Sequence, residues 1–202
     1  MSQYLFLFTI GPVQSFIAQA RKTQDLYAGS FLLSHLIESA MKELERSEAD
    51  CEFIFPNKEI ESKPNRFIAK VKSDNIEKVG NDLKDFVESK FENIASTILN
   101  AVNGSISNNF KKSFQKQVKS HLQVNWVALL LEESRYTDTY KELESYLGAI
   151  KNVQNFQQLE EKGRKCSLCG ERNVLFYRGR KRAYTADHAV SLDGQPPKYI
   201  GE

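Results

Sequence analysis

YLFLFTIGPVQSFIAQARK, residues 4–22, holds the fold in outline. Its first seven residues, Tyr4 to Ile10, are aromatic or aliphatic apart from Thr9, and they read as a buried strand. Gly11-Pro12 ends the run. Proline has no backbone N–H and a fixed φ, which suits the first helical position. From there to Tyr27 the chain reads as a helix, with Val13, Phe16, Ile17 and Ala20 on one face. The unit is strand, tight turn, helix.

Working outward, a second helix is expected from Gly29-Ser30. Ser30 serves as its N-cap, and Phe31, Leu32, Leu36, Ile37, Met41 and Leu44 keep helical spacing. CEFIFP (51–56) and NRFIAKV (65–71) are short β-like runs, expected to pair as a hairpin beside the first strand. From Ser73 to Asn100 the positions Ile76, Val79, Leu83, Phe86, Val87, Phe91, Ile94 and Ile98 predict a long amphipathic helix capped by Ser73 or Asp74. AVNGSISNN (101–109) interrupts it before a further helical stretch, FKKSFQKQVKSHL (110–122). QVNWVALLLEE (123–133) is the most strand-like segment, and a helix through TYKELESYLGAIKN (139–152) follows. The order is that of an α+β chain, compatible with a ferredoxin-like antiparallel sheet carrying a helical insertion.

Composition narrows the function classes. With 202 residues, 41% hydrophobic and 27% charged, the chain is long enough to bury an ordinary core. It has no apolar run of membrane-spanning length, and YLFLFTI lacks the basic flank of a signal peptide, so the expected location is cytoplasmic with no membrane partner. Three cysteines, Cys51, Cys166 and Cys169, make an odd set that argues against a disulfide framework. The close pair lies in RKCSLCGER (164–172), where two thiolates can serve one zinc ion; structural zinc takes four ligands. His188 and Cys51 are the remaining ligand types to consider, although a lone histidine is usually surface and a free cysteine usually a small apolar core residue.

Charge is unevenly placed. Net charge is +2, yet Lys162 to Arg182 carries eight basic residues against one acid, so the rest of the chain is net negative. Such a segment fits either phosphate contact or a solvated loop. At Gly11 to Ser15, where a strand feeds a helix, free amide groups and the positive helix end converge, and Gln14 and Ser15 add side-chain donors for an anion such as phosphate. Arg21, Lys22 and Asp25 follow within about a turn, and Tyr27 to Ser30 reads as a small-residue turn. The choice there is between a solvated face and a nucleotide or RNA surface.

FTIGPVQSFIAQARKTQDLYAGSFLLSHL (8–36) resembles the opening of the palm-like region in the large subunit of type III CRISPR RNA-guided effector complexes, of the Cmr type. KPNRFIAKV (63–71) is similar to the next marker of that family, and GRKCSLCGER (163–172) to a third, the first half of a four-cysteine zinc site. The resemblance implies a degenerate first palm over residues 1–160 and an incomplete, basic zinc-binding region over 161–202, the start of a zinc ribbon. It implies a nucleotide pocket drawing on Gly11, Pro12, Gln14 and Ser15, with Arg21, Asp25 and Ser30 nearby, and zinc on Cys166 and Cys169. In the complete subunit a second, downstream palm makes cyclic oligoadenylate from ATP with Mg2+ once target RNA is bound. The implied partners are ATP, guide and target RNA and the other subunits of the complex.

Two family features are missing from these residues: the His-Asp doublet of the HD nuclease and the Gly-Gly-Asp-Asp hairpin of the cyclase palm. The chain is therefore expected to be an N-terminal portion that does not cyclise ATP by itself. A free-standing zinc-ribbon nucleic-acid-binding protein is the alternative.

Overall fold

The computed structural model describes residues 1–47, 49–101, 103–104, 108–153, 165–166, 170, 172, 177–178, 189–191 and 198–201. It divides into two compact units, Met1–Lys90 with Leu122–Phe156, and Phe91–His121 with Gln157–Glu202.

The first unit is built on a four-stranded antiparallel sheet. Its central strand β1 (Ser2–Gly11) pairs with β3 (Arg66–Ser73) on one side and β5 (Gln123–Leu130) on the other, and β2 (Asp50–Phe55) pairs with the outside of β3. The strand order is β2-β3-β1-β5. The α+β class and the hairpin beside the first strand are as the sequence predicts.

β1 is buried from Leu5 to Ile10 because both faces of the sheet are covered. Leu5 and Leu7 on one face join Ile68, Val127 and Leu131 under Leu143 and Leu147 of α5 (Tyr136–Asn152). On the other, Phe6 and Phe8 form an aromatic group with Phe67, Phe53 and Trp126. Each fully buried side chain of this size contributes about 1.5–3 kcal/mol, so a continuous apolar strand outweighs the alternation expected of a half-wet sheet. Helix α2 (Thr23–Arg46) packs against β1, β2 and β3 with Leu36, Ile37, Ala40 and Leu44 buried. Gly80 of α3 (Ile76–Ala101) lies under the indole of Trp126.

Three sequence expectations change. The helix expected from Pro12 to Tyr27 is two: α1, only Val13–Ala18, and α2, which starts at Thr23. Asp25 causes the new start, its Oδ2 accepting from the Lys22 amide at 3.1 Å and the Arg21 amide at 3.3 Å. Ser30 is consequently inside α2 and is not an N-cap, and Tyr27 to Ser30 is helical. Gly29 is there because a Cβ would come within 2.8 Å of Cε1 of Phe16, so it seats α1 on α2. At α3 the capping side chain is Asn75, whose Oδ1 accepts from the Lys78 amide at 2.9 Å; Ser73 ends β3 and accepts from the Asn75 amide.

In the second unit, α4 (Asn108–Lys119) accompanies the last part of α3. Its strands β4 (Asn103–Gly104), β6 (Tyr177–Arg178), β7 (Ala189–Ser191) and β8 (Lys198–Gly201) form a small antiparallel sheet in the order β4-β7-β8-β6. Among the described residues, no helix is long and apolar enough to cross a membrane.

Candidate functional site

The turn singled out in the sequence lies where β1 leaves the sheet. Gly11 is still paired, opposite Gln123 of β5, and the Gly11–Pro12 peptide is cis. Gly11 and Pro12 are half-buried and Gln14 is exposed. Ser15 belongs to α1, and its side chain lies outside the described residues. With six residues, α1 offers a much smaller aligned dipole than the long helix expected, so the amides of the turn itself matter more than a macrodipole.

Among the described residues nothing requires glycine at position 11: a Cβ there would meet no atom of theirs within 4 Å, and only Gly170 has positive φ. Open space at a glycine leaves room for an outside group to approach the backbone closely.

The turn is held by Asn65, from the second sequence marker. Its carbonyl accepts from the Ile10 amide at 2.9 Å and from Oγ1 of the buried Thr9 at 3.2 Å, and its Nδ2 donates to the Ile10 carbonyl at 3.3 Å. Three hydrogen bonds therefore join two markers 55 positions apart at one end of the sheet. The loop before Asn65 is fixed as well: the Lys63 amide donates to Ser34 Oγ at 2.7 Å, and its buried ammonium donates to the carbonyls of Lys58 and Ile60.

Next to Asn65, Arg66 reaches α5. Its Nη1 donates to both carboxylate oxygens of Glu144, at 2.9 and 3.1 Å, and Tyr140 donates its hydroxyl to Oε1 at 3.1 Å. That hydrogen bond raises the Tyr140 pKa, with desolvation adding to it. Lys151 is pushed the other way, first by desolvation and then by Arg66. Sequence reasoning missed Glu144, Tyr140 and Lys151; a helix seventy-eight residues from Arg66 gives no local sign that it will face β3.

The remaining predicted contacts come later in the chain, Arg21 just before α2 and Asp25 and Ser30 within it. Arg21, Asp25 and Ser30 are all exposed, and the Asp25 carboxylate serves the cap. The Phe16–Gly29 contact is what brings α1 and this part of α2 together. The first unit also has a cleft of about 510 Å³, but it lies where β1 begins, between the end of α2 and the start of α3, lined by Glu43, Lys72, Asp74, Lys78 and Asp82 among others. None of the nucleotide- or zinc-binding residues predicted from the sequence lines it.

Of the zinc pair, Cys166 is described and Cys169 lies outside the described residues, as does His188. The Cys166 carbonyl accepts from the Gly170 amide at 2.9 Å, its amide donates to the Arg172 carbonyl at 2.8 Å, and Gly170 takes φ +69°. Both bonds are made by the Cys166 backbone. Among the described residues no group of three or more His, Cys, Asp or Glu is placed to hold a metal ion. Cys51, half-buried in β2, has its thiol pushed up by desolvation and then by Glu45, which favours the protonated form over the thiolate that zinc needs.

Of the basic segment, Lys165 and Arg172 have described side chains. Arg172 donates from Nη1 to the Gln117 carbonyl at 2.9 Å and Ser120 Oγ at 2.8 Å, and from Nη2 to the Ser120 carbonyl at 3.1 Å. It thus serves the orphan carbonyls at the end of α4. Beside it His121 stacks on Phe91, centroids 6.1 Å apart, and its pKa is lowered by burial and then by Arg172.

A family model described as the N-terminal part of the CRISPR-associated protein Cmr2 matches residues 5–130, which takes in the turn, Asn65 and the four strands of the first unit's sheet except Ser2 to Tyr4 of β1. No curated protein matches the chain.

Proposed function

Because the chain belongs to the Cmr2 N-terminal family, and so to the large subunit of a type III CRISPR effector complex, we propose that its first unit is a palm-like domain that binds nucleotide at the Gly11 turn and supports chemistry done elsewhere in that subunit. The observation that carries the proposal is Gly11 itself, a glycine with open space where its side chain would be. The strand order β2-β3-β1-β5, antiparallel throughout, supports the ferredoxin-like part of the reading.

In this reading the turn amides and Gln14 take phosphate oxygens of ATP, and Asn65 holds the turn in shape. None of the residues predicted for the pocket except Asp25 is a carboxylate, and Asp25 is engaged at the helix cap. Phosphoryl chemistry needs carboxylates that hold Mg2+ over the phosphates. Those ligands, and the cyclisation they would support, belong to the downstream palm. The role of this unit is to position ATP and to scaffold the complex.

Cys166 and Cys169 are read as two ligands of a zinc site, with Gly170, next in sequence, in the left-handed conformation. Zinc there would brace the loop and contribute no chemistry. The rival reading, a zinc ribbon that binds nucleic acid alone, is weakened because Arg172 serves α4.

Photolabelling of the complete large subunit with an azido analogue of ATP tests the nucleotide assignment. Labelled peptides should fall within residues 8–36 and be protected by unlabelled ATP. Protected labelling confined to other parts of the subunit would remove this turn from the pocket.

A further inference from the structure

The C-terminal end of α4 takes its hydrogen-bond partners from the segment that carries the cysteine pair. A helix of 12 residues is marginal in water without tertiary support, and its last carbonyls have no partner within the helix. Arg172 supplies one. Its Nη1 donates to the Gln117 carbonyl at 2.9 Å and to Ser120 Oγ at 2.8 Å, and its Nη2 donates to the Ser120 carbonyl at 3.1 Å. Lys116 and Lys119 already make the last turn of α4 positive, which suits the negative end of the helix dipole. Arg172 therefore adds geometry more than charge, a rigid fork of donors set against fixed acceptors.

The other end of this tether is Cys166. Its amide donates to the Arg172 carbonyl at 2.8 Å, and its own carbonyl accepts from the Gly170 amide at 2.9 Å, with Gly170 at φ +69°. The residue that caps α4 is thus one backbone hydrogen bond from a thiol-bearing residue, and the second thiol, Cys169, directly precedes Gly170 in sequence. Two thiols at Cys-x-x-Cys spacing, followed by a left-handed glycine, suit zinc. Metal binding at such a pair orders the chain that carries the ligands, because its free energy is also folding free energy. Without the metal, those two backbone bonds are what remains to hold Arg172 in place.

We propose that Arg172 is a metal-dependent clasp for α4: zinc on Cys166 and Cys169 fixes the backbone from which Arg172 caps the helix, so that metal occupancy sets the order of residues 108–121. The clasp presupposes the zinc reading of the cysteine pair and goes beyond it, since a metal that braced only its own loop would leave α4 unchanged. Coupling between two sites is reciprocal. Whatever loosens α4 therefore weakens the hold on zinc as well.

Amide hydrogen exchange of the complete large subunit at about pH 7, zinc-loaded against metal-stripped, tests the clasp. Zinc should slow exchange over residues 115–121 about 5- to 150-fold. Arg172→Ala should remove most of that difference while the subunit still takes up zinc, and Arg172→Lys, which keeps the charge and loses the fork, should restore only part of it. Lys112→Gly, at an exposed position of α4, should weaken zinc binding by about fivefold in competition with a chromophoric chelator, although it does not alter the cysteine segment. Zinc uptake that leaves exchange in α4 unchanged overturns the clasp and spares the zinc reading. So does a zinc effect of equal size in Arg172→Ala, or unaltered zinc affinity in Lys112→Gly. Slowing of the same size across residues 1–90 would report global stability and also overturn it. Zinc content that is unaffected by Cys166→Ser and Cys169→Ser removes the zinc reading and the clasp together.

Discussion

Gly80→Ala should destabilise the first unit, although the same change in an isolated helix would stabilise it. Glycine is the fifth residue of α3, and in a helix interior it costs about 1 kcal/mol relative to alanine. The structure reverses the sign. A Cβ at position 80 would lie 2.3, 2.4 and 2.7 Å from Cε2, Cδ2 and Cζ2 of Trp126, where carbon atoms rest at about 3.5–4.0 Å. The ring has little freedom to yield, since it stacks on Phe6 at 5.9 Å and Trp126 is paired opposite Phe8 in β5. Overpacking of this kind costs about 1–3 kcal/mol. At the upper end, less the gain in propensity, the net loss is about 2 kcal/mol. Guanidinium unfolding followed by circular dichroism measures it, and the cycle with Trp126→Leu isolates the contact. In the Trp126→Leu background Gly80→Ala should be neutral or stabilising by up to about 1 kcal/mol. A stabilising effect in the unaltered chain, or the same effect in both backgrounds, would refute the packing of α3 on β5.

Asn65→Ala removes the Nδ2 hydrogen bond to Ile10 but keeps both bonds to the Asn65 carbonyl, so stability should fall by about 1 kcal/mol in denaturant titrations; no change would mean that the side chain does not hold the turn. His121 has a folded pKa below its ordinary 6.5, so the unfolded chain binds the proton more readily and stability should fall as pH drops below about 6.5. Amide exchange across residues 108–121 at about pH 7 and pH 5 reads this, and His121→Phe should remove its part of the dependence while keeping the ring on Phe91; an unchanged profile in that variant would assign the pH effect to other groups. For zinc, Cys166→Ser or Cys169→Ser should lower the metal content of the complete large subunit, measured by mass spectrometry, and full zinc in either variant would exclude that thiol as a ligand.

What was legible in the sequence was whatever depends on neighbours along the chain. Tyr4 to Ile10 reads as a buried strand because its residue types require it, and the helical stripe from Ile76 to Ile98 is visible in its period. Local signals also misled: Gly29-Ser30 looks like a helix boundary, yet that glycine answers to Phe16 in another helix. Asp25, expected near the nucleotide pocket, also has a structural task at the start of α2, where its Oδ2 accepts from the amides of Arg21 and Lys22. The long-range contacts were out of reach. Asn65 on Ile10, Arg66 on Glu144 and Gly80 on Trp126 join residues between 46 and 78 positions apart, and no spacing rule links such pairs. The GPVQ and PNR markers were each visible, but that one clamps the other became apparent only from the pairing of β1 with β3.

The central claim, that nucleotide approaches the backbone at Gly11, is tested most directly by Gly11→Ala in the complete large subunit, with stability and ATP affinity measured on the same preparation. Because a Cβ there meets nothing within 4 Å and φ is not positive, stability should be unchanged or rise by up to about 1 kcal/mol. ATP affinity should fall by about tenfold or more as the methyl group keeps the phosphates from the turn amides. Unaltered ATP affinity in a stably folded Gly11→Ala subunit would contradict the claim.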